Sequence, residues 1–175
     1  MYKIISSIIF LFAVVLIISS CTCSYCEKME YRDTQTTIEA EIQKQAQILG
    51  SKLSLQEEDV LFALHTLLSG NSRIFGAAYA TAPYDENNEL METYYVFREG
   101  KDTKTLHDPA YNFMTSANSN WIKKPYLNKK AMWSIPYYDI DGSGAKNYMT
   151  TYTYPVLENG NVRFILSADY LLSTQ

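Results

Sequence analysis

The sequence predicts an α+β domain, with two amphipathic helices between residues 34 and 70 and antiparallel strands after them. Three observations carry this reading. Apolar residues recur at helical steps up to Leu68. Beyond Gly70 the texture turns to short apolar runs broken by turn residues. Near the end, two strand-like runs flank Asn159-Gly160.

In the first helix Ile38, Ile42, Ala46 and Leu49 recur every three or four residues and mark one face, and Gly50 is a plausible stop. The polar stretch Glu27–Gln35 before it reads as a tether. In the second helix Ser54 and Glu57 have capping-box spacing, and Glu57, Glu58 and Asp59 place negative charge where the helix dipole favours it. Val60, Leu61, Leu64, Leu67 and Leu68 form its stripe, and Gly70-Asn71 ends it. His65 lies beside that stripe, where a lone histidine reads as structural.

Strands are expected at Ile74–Thr81 and Glu92–Arg98, separated by a turn-rich loop over Pro83–Asn88. Glu99-Gly100-Lys101 turns the chain again. Asp108–Lys130 shows no period, and a long irregular stretch inside a small domain is usually functional. Tyr148–Leu157 and Val162–Asp169 read as a hairpin, because Asn-Gly tolerates the positive φ of a tight turn. Val162, Phe164, Leu166 and Ala168 share one face. Arg163, Ile165, Ser167 and Asp169 share the other.

The 175 residues suit one domain, over 27–175, once residues 1–26 are set aside as a targeting segment. Lys3 precedes an unbroken apolar run from Ile8 to Ile18, a length that suits a signal peptide better than a spanning helix. Ile18-Ser19-Ser20-Cys21 resembles a bacterial lipobox. Cys21 is therefore the expected lipidation site, with a short uncleaved anchor as the alternative. Cys21, Cys23 and Cys26 are the only cysteines and lack a fourth ligand or nearby histidine, so no metal site is expected there.

A net charge of −4 gives no basic footprint for nucleic acid. The two histidines have no metal-ligand spacing, and no nucleophile elbow or phosphate loop appears, so no enzyme and no cofactor is expected. Asp139-Ile140-Asp141-Gly142 begins like a calcium loop, but Thr150 stands where a bidentate glutamate is needed. Of 15 tyrosines, 12 lie between Tyr79 and Tyr170, suited both to half-buried strands and to a pocket lined by phenols.

The segments Arg73–Ala80, Trp121 with Pro125, Trp133–Asp139, Met149–Val156 and Ser167-Ala168-Asp169, in that order and spacing, resemble the Cache family of extracytoplasmic sensors. The resemblance covers roughly residues 34–172. It implies a single module with long amino-terminal helices and a PAS-like antiparallel sheet, most similar to the membrane-distal module of double Cache domains. It also implies a small-molecule pocket between that sheet and the irregular stretch. Asp169 then takes a ligand's amino group, and Tyr137 and Asp139 keep a further element of the pattern. Trp121, Tyr95, Tyr111 and Tyr152 are expected in the pocket wall, although Trp121 and Trp133 read more readily as core anchors.

The arginine that holds a carboxylate in the amino-acid-binding branch falls at Ser119, and the tyrosine after the tryptophan at Ile122. An amine or a neutral polar ligand is therefore expected over an α-amino acid. With the chain ending at Gln175, such a sensor is expected to act through an envelope partner or to be a remnant or fragment of a longer receptor. A solute-binding lipoprotein or, less favoured, an envelope hydrolase using His107 are the alternatives.

Overall fold

Alternation along the strands decides where everything sits. The computed structural model describes residues 29–81, 92–109, 111–116, 119–140 and 146–174. The chain divides into Met1–Thr37 and Ile38–Gln175. In the first unit, the described residues are helical and begin a helix, α1, that spans 29–50. This corrects the tether expected up to Gln35. That stretch is mostly polar, with Met29 and Tyr31 too few to make a stripe. The hydroxyls of Thr34, Thr36 and Thr37 donate to carbonyls four residues back, those of Glu30, Arg32 and Asp33.

In the second unit Ile38, Ile42, Ala46 and Leu49 of α1 are buried, as their spacing requires. The carbonyls at its end are not left to solvent. Arg163 reaches them from the sheet, donating to the oxygens of Gly50 at 3.3 Å and Lys52 at 2.8 Å. Helix α2 is Glu57–Gly70, with Val60, Ala63, Leu64, Leu67 and Leu68 buried. Its cap lies two residues later than the Ser54 reading. Gln56 is the extended N-cap residue, and its N–H donates to the Asp59 carboxylate at 3.2 Å. Lys52, 2.7 Å from that carboxylate, fixes it in place, and Ser54 only accepts from the Gln56 side chain.

Among the described residues seven strands follow: β1 (Ile74–Thr81), β2 (Thr93–Glu99), β3 (Asp102–His107), β4 (Met132–Trp133), β5 (Tyr137–Ile140), β6 (Lys146–Glu158) and β7 (Asn161–Thr174). The order is β3-β2-β1-β7-β6-β4, with β5 also on the outer side of β6. All pairings are antiparallel. A plain meander is therefore not what forms. The last strand, β7, inserts between β1 and β6, which makes the sheet PAS-like. The Asn159-Gly160 turn is as expected, with φ of 52° and 78°.

Register sorts the strands into two faces. Ala77, Tyr79, Val96, Leu166 and Ala168 point to the α1 and α2 side and are buried. Gly76, Ala78 and Ala80, with Tyr95, Thr151, Thr153, Ser167 and Asp169, point to the other. Val162 departs from its expected set. Beside the register shift at Val156/Leu157, it packs with Ala80, Phe113, Ile122 and Ile165.

The stretch read as irregular holds a helix, α3 (Asn120–Asn128), over that second face. Pro125 inside it hid the pattern, since an interior proline removes one helical hydrogen bond. The carbonyl so orphaned belongs to Trp121, and it accepts from the Thr153 hydroxyl at 2.8 Å. The helix defect is thus the point at which α3 is fastened to β6. Ile122 and Pro125 are buried beneath it.

Candidate functional site

At the middle of the second face lies Asp169, 8 % exposed. It is flanked in its row by Gly76 on β1 and Thr151 on β6. Thr151 donates its single hydroxyl proton to Asp169 Oδ1 at 2.7 Å. The Tyr137 oxygen lies 2.7 Å from the Thr151 oxygen, and with the threonine proton already committed, Tyr137 is the donor. Tyr95 donates to Asp169 Oδ2 at 2.9 Å. Three hydroxyls from β2, β5 and β6 therefore point, directly or in relay, at one carboxylate.

Burial raises the Asp169 carboxyl from 3.8 to about 6, against the lowering effect of the Thr151 and Tyr95 hydrogen bonds, and the nearby Asp139 raises it further. Among the described residues no lysine or arginine offsets the charge. Burial also pushes the phenols of Tyr95, Tyr137 and Tyr111 up, so each stays neutral and able to donate. Asp139 adds to the rise in all three, and Tyr111 to that of Tyr137. The five expected residues Asp169, Tyr95, Tyr137, Asp139 and Tyr111 are thus gathered in one electrostatic neighbourhood.

Two expected residues have other neighbours. Tyr152 pairs with Ala168 and faces the helices, its ring 5.1 Å from that of Trp133. Burial and the Glu39 carboxylate of α1 raise its phenol to about 12. Trp133 donates to Glu39 at 2.6 Å and is a core anchor. Trp121 is half-buried on α3 and packs against the Phe113–Ile122–Ile165 cluster, on the same face of the sheet as Asp169.

Ser119 is fully buried, and its hydroxyl is turned onto the carbonyls of Phe113 and Ser116. It staples the loop to α3. The amine of Lys123, one turn on, is also held by the Ser116 carbonyl, at 2.9 Å. Sequence reasoning passed over Thr151 and Gly76. Thr151 lay in view as the odd-parity partner of Asp169, but only the register shows that they meet.

Among the described residues no three metal-ligating side chains cluster, and no helix is long and apolar enough to cross a membrane. Cys21 and the Asp141–Gly144 loop lie outside the described residues.

A PAS-like sheet with helices on one face, an inserted helix on the other and a polar cluster beneath it defines the sensor-domain class of α+β fold. The chain belongs to the family described as methyl-accepting chemotaxis protein-like, first PDC sensor domain, whose profile matches residues 61–174. Among solved structures it is similar to the extracellular domain of a protein assigned as a histidine kinase, soHK1S-Z6, with 25 % identity and a TM-score of 0.65. That match covers 79 % of this chain and 54 % of the other. It is also similar to the corresponding domain of mmHK1S-Z3, at 18 % identity and TM-score 0.61, covering 81 % and 53 %. The ligand-binding domain of the Campylobacter jejuni chemoreceptor Tlp3, solved with L-valine, matches at 12 % identity and TM-score 0.56, covering 80 % and 53 %. The chain spans about half the length of these solved chains. A search of curated proteins finds no match.

Proposed function

We propose that this chain is the ligand-binding module of an extracytoplasmic receptor, and that its ligand carries a cationic amine. The observation that carries this reading is the buried Asp169 carboxylate, ringed by hydroxyls and uncompensated by any cation among the described residues. A buried charge of this kind is costly unless something neutralises it, and an ammonium group does so with charge-assisted hydrogen bonds. A neutral polar ligand could hydrogen-bond there but would leave the charge.

The valine bound by Tlp3 also has a carboxylate. Here the position of the carboxylate-binding arginine is Ser119, whose hydroxyl serves backbone carbonyls instead. Amines without an α-carboxylate are accordingly favoured. The lipobox-like segment ending at Cys21 supports an envelope tether, and kinase and chemoreceptor neighbours support a signalling partner or further receptor segments. The domain's role is binding, not catalysis.

A thermal-shift screen of the purified chain against amines, amino acids, carboxylates, sugars and purines tests this. Binding at a hundredfold excess over Kd stabilises the folded state by about 2.7 kcal/mol. A shift with amines alone, lost in Asp169→Ala, is expected. A shift only with carboxylates or sugars overturns the reading.

A further inference from the structure

Tyr95 does not stand above its own row. On β2 it pairs with Ala78, whereas Asp169 pairs with Gly76, so the phenol leans diagonally across β1 to donate to the carboxylate. Its hydroxyl end lies directly on Gly76. A Cβ at that position would sit 2.5 Å from Tyr95 Cζ, 2.6 Å from Cε2, and closer still to the hydroxyl oxygen. The backbone does not call for glycine here, since the positive-φ glycines among the described residues are Gly100 and Gly160. A glycine inside a strand weakens it, and marks a place where another group must approach closely. The leaning ring is stacked against Phe97, the register partner of Gly76, at 5.3 Å and 14°.

We propose that Gly76 is a positioning residue for ligand recognition: its missing side chain seats Tyr95 against Asp169, and the seated phenol makes the site selective for a primary ammonium over its N-methylated forms. This rests on the reading of Asp169 as the ammonium site. Tyr95 meets the carboxylate, and Tyr137 the Thr151 hydroxyl beside it, through their oxygens and not their ring faces. A primary ammonium has three N–H donors for the carboxylate, which supplies the charge, and for the lone pairs that these hydroxyl oxygens keep after donating their own protons. A trimethylammonium has none. It is favoured where ring faces form a cage, an arrangement these hydroxyl-first phenols do not make.

The test uses ethanolamine and choline, with butylamine and butyltrimethylammonium as a second pair, titrated calorimetrically into the full chain. The wild-type protein should bind each primary amine at least about tenfold more tightly than its methylated partner, as expected for the loss of charged hydrogen bonds. Gly76→Ala should weaken the primary amines by about tenfold and shrink that preference, and Tyr95→Leu should do the same. In the Tyr95→Leu background, Gly76→Ala should change neither affinity nor preference, because the residue acts only through the phenol. If Gly76→Ala alone does not fold, the double variant should melt cooperatively like Tyr95→Leu, the clash having been removed. A Gly76→Ala protein with wild-type affinity and preference, or penalties that add in the double variant, overturns the proposal while leaving the amine site intact. A wild-type protein that binds none of the four amines overturns both.

Discussion

The two faces of this sheet are built from the same strands and obey opposite rules. On the helix side β7 presents Phe164, Leu166 and Ala168, all fully buried, against apolar partners such as Tyr79, 5.3 Å from the Phe164 ring. On the other side, one residue out of step, it presents Ile165, Ser167 and Asp169 to a helix and a loop that leave a charge inside. The helix face supplies stability through area removed from water. The other face carries a carboxylate that opposes folding. A period of two lets one strand do both, so long as the register never slips.

The comparison breaks most visibly if the dry face is hollowed. Phe164→Ala should cost about 3–5 kcal/mol of stability, read as a fall in the urea midpoint, because transfer and cavity effects add. Affinity for an amine ligand should remain within a few fold of wild type at temperatures where the variant is folded. A variant that loses binding in proportion to stability would show that the two faces are coupled and not separate.

The opposite response is expected at Asp169. Its carboxyl is raised from 3.8 to about 6, so the folded state holds a proton that the unfolded state has released between those values. The associated stability is full below about pH 4 and lost as pH rises through 6, a difference of about 3 kcal/mol by pH 7. Asp169→Asn removes that penalty, less what its amide loses in hydrogen bonding to two hydroxyls. It should be more stable than wild type by about 2 kcal/mol at pH 7.5 and no more stable at pH 4. It should also lose amine binding. Destabilisation at neutral pH would mean that the hydroxyl ring, and not the buried charge, dominates the site.

The same carboxyl sets a smaller, sharper effect on the ligand. A cation binds the ionised form, so a proton competes below the carboxyl's own titration. Amine affinity should be level above pH 7 and fall towards about tenfold per pH unit below about 6. Calorimetry in buffers of different ionisation heat should detect proton release on binding at pH 5.5 and none at pH 8. A flat profile would place the amine elsewhere.

These contrasts also explain what could be read from the sequence. From Phe164 to Asp169 the odd and even sets of β7 were visible as a period of two, and Asn159-Gly160 fixed the turn before them; the bulge that moves Val162 to the other face was not visible. The stripes of α1 and α2 were visible for the same reason, since short-range spacing encodes them. The diagonal reach of Tyr95 over Gly76 was not, because it depends on the register of three strands distant in the chain. Nor was Tyr152 on the helix side, since a tyrosine serves a dry face or a wet one equally well. Helix α3 was hidden by Pro125, whose missing N–H is compensated only by a threonine 28 positions away.

That compensation gives the mildest way to sharpen the comparison. Thr153 is fully buried, and its hydroxyl satisfies the Trp121 carbonyl that Pro125 leaves without a partner. Thr153→Val keeps the volume and removes the donor, stranding a half-buried carbonyl at a cost of about 1–3 kcal/mol. Thr153→Ser restores the donor and should recover most of that loss, apart from a methyl group's worth of packing. Because the bond joins α3 to β6 over the polar face, the valine variant should also expose α3 to faster amide hydrogen exchange, while exchange in α2 stays as in wild type. Equal acceleration in both helices would mean that the fastening is shared by the whole domain; acceleration in neither would mean that burial of Ile122 and Pro125 alone holds α3 in place.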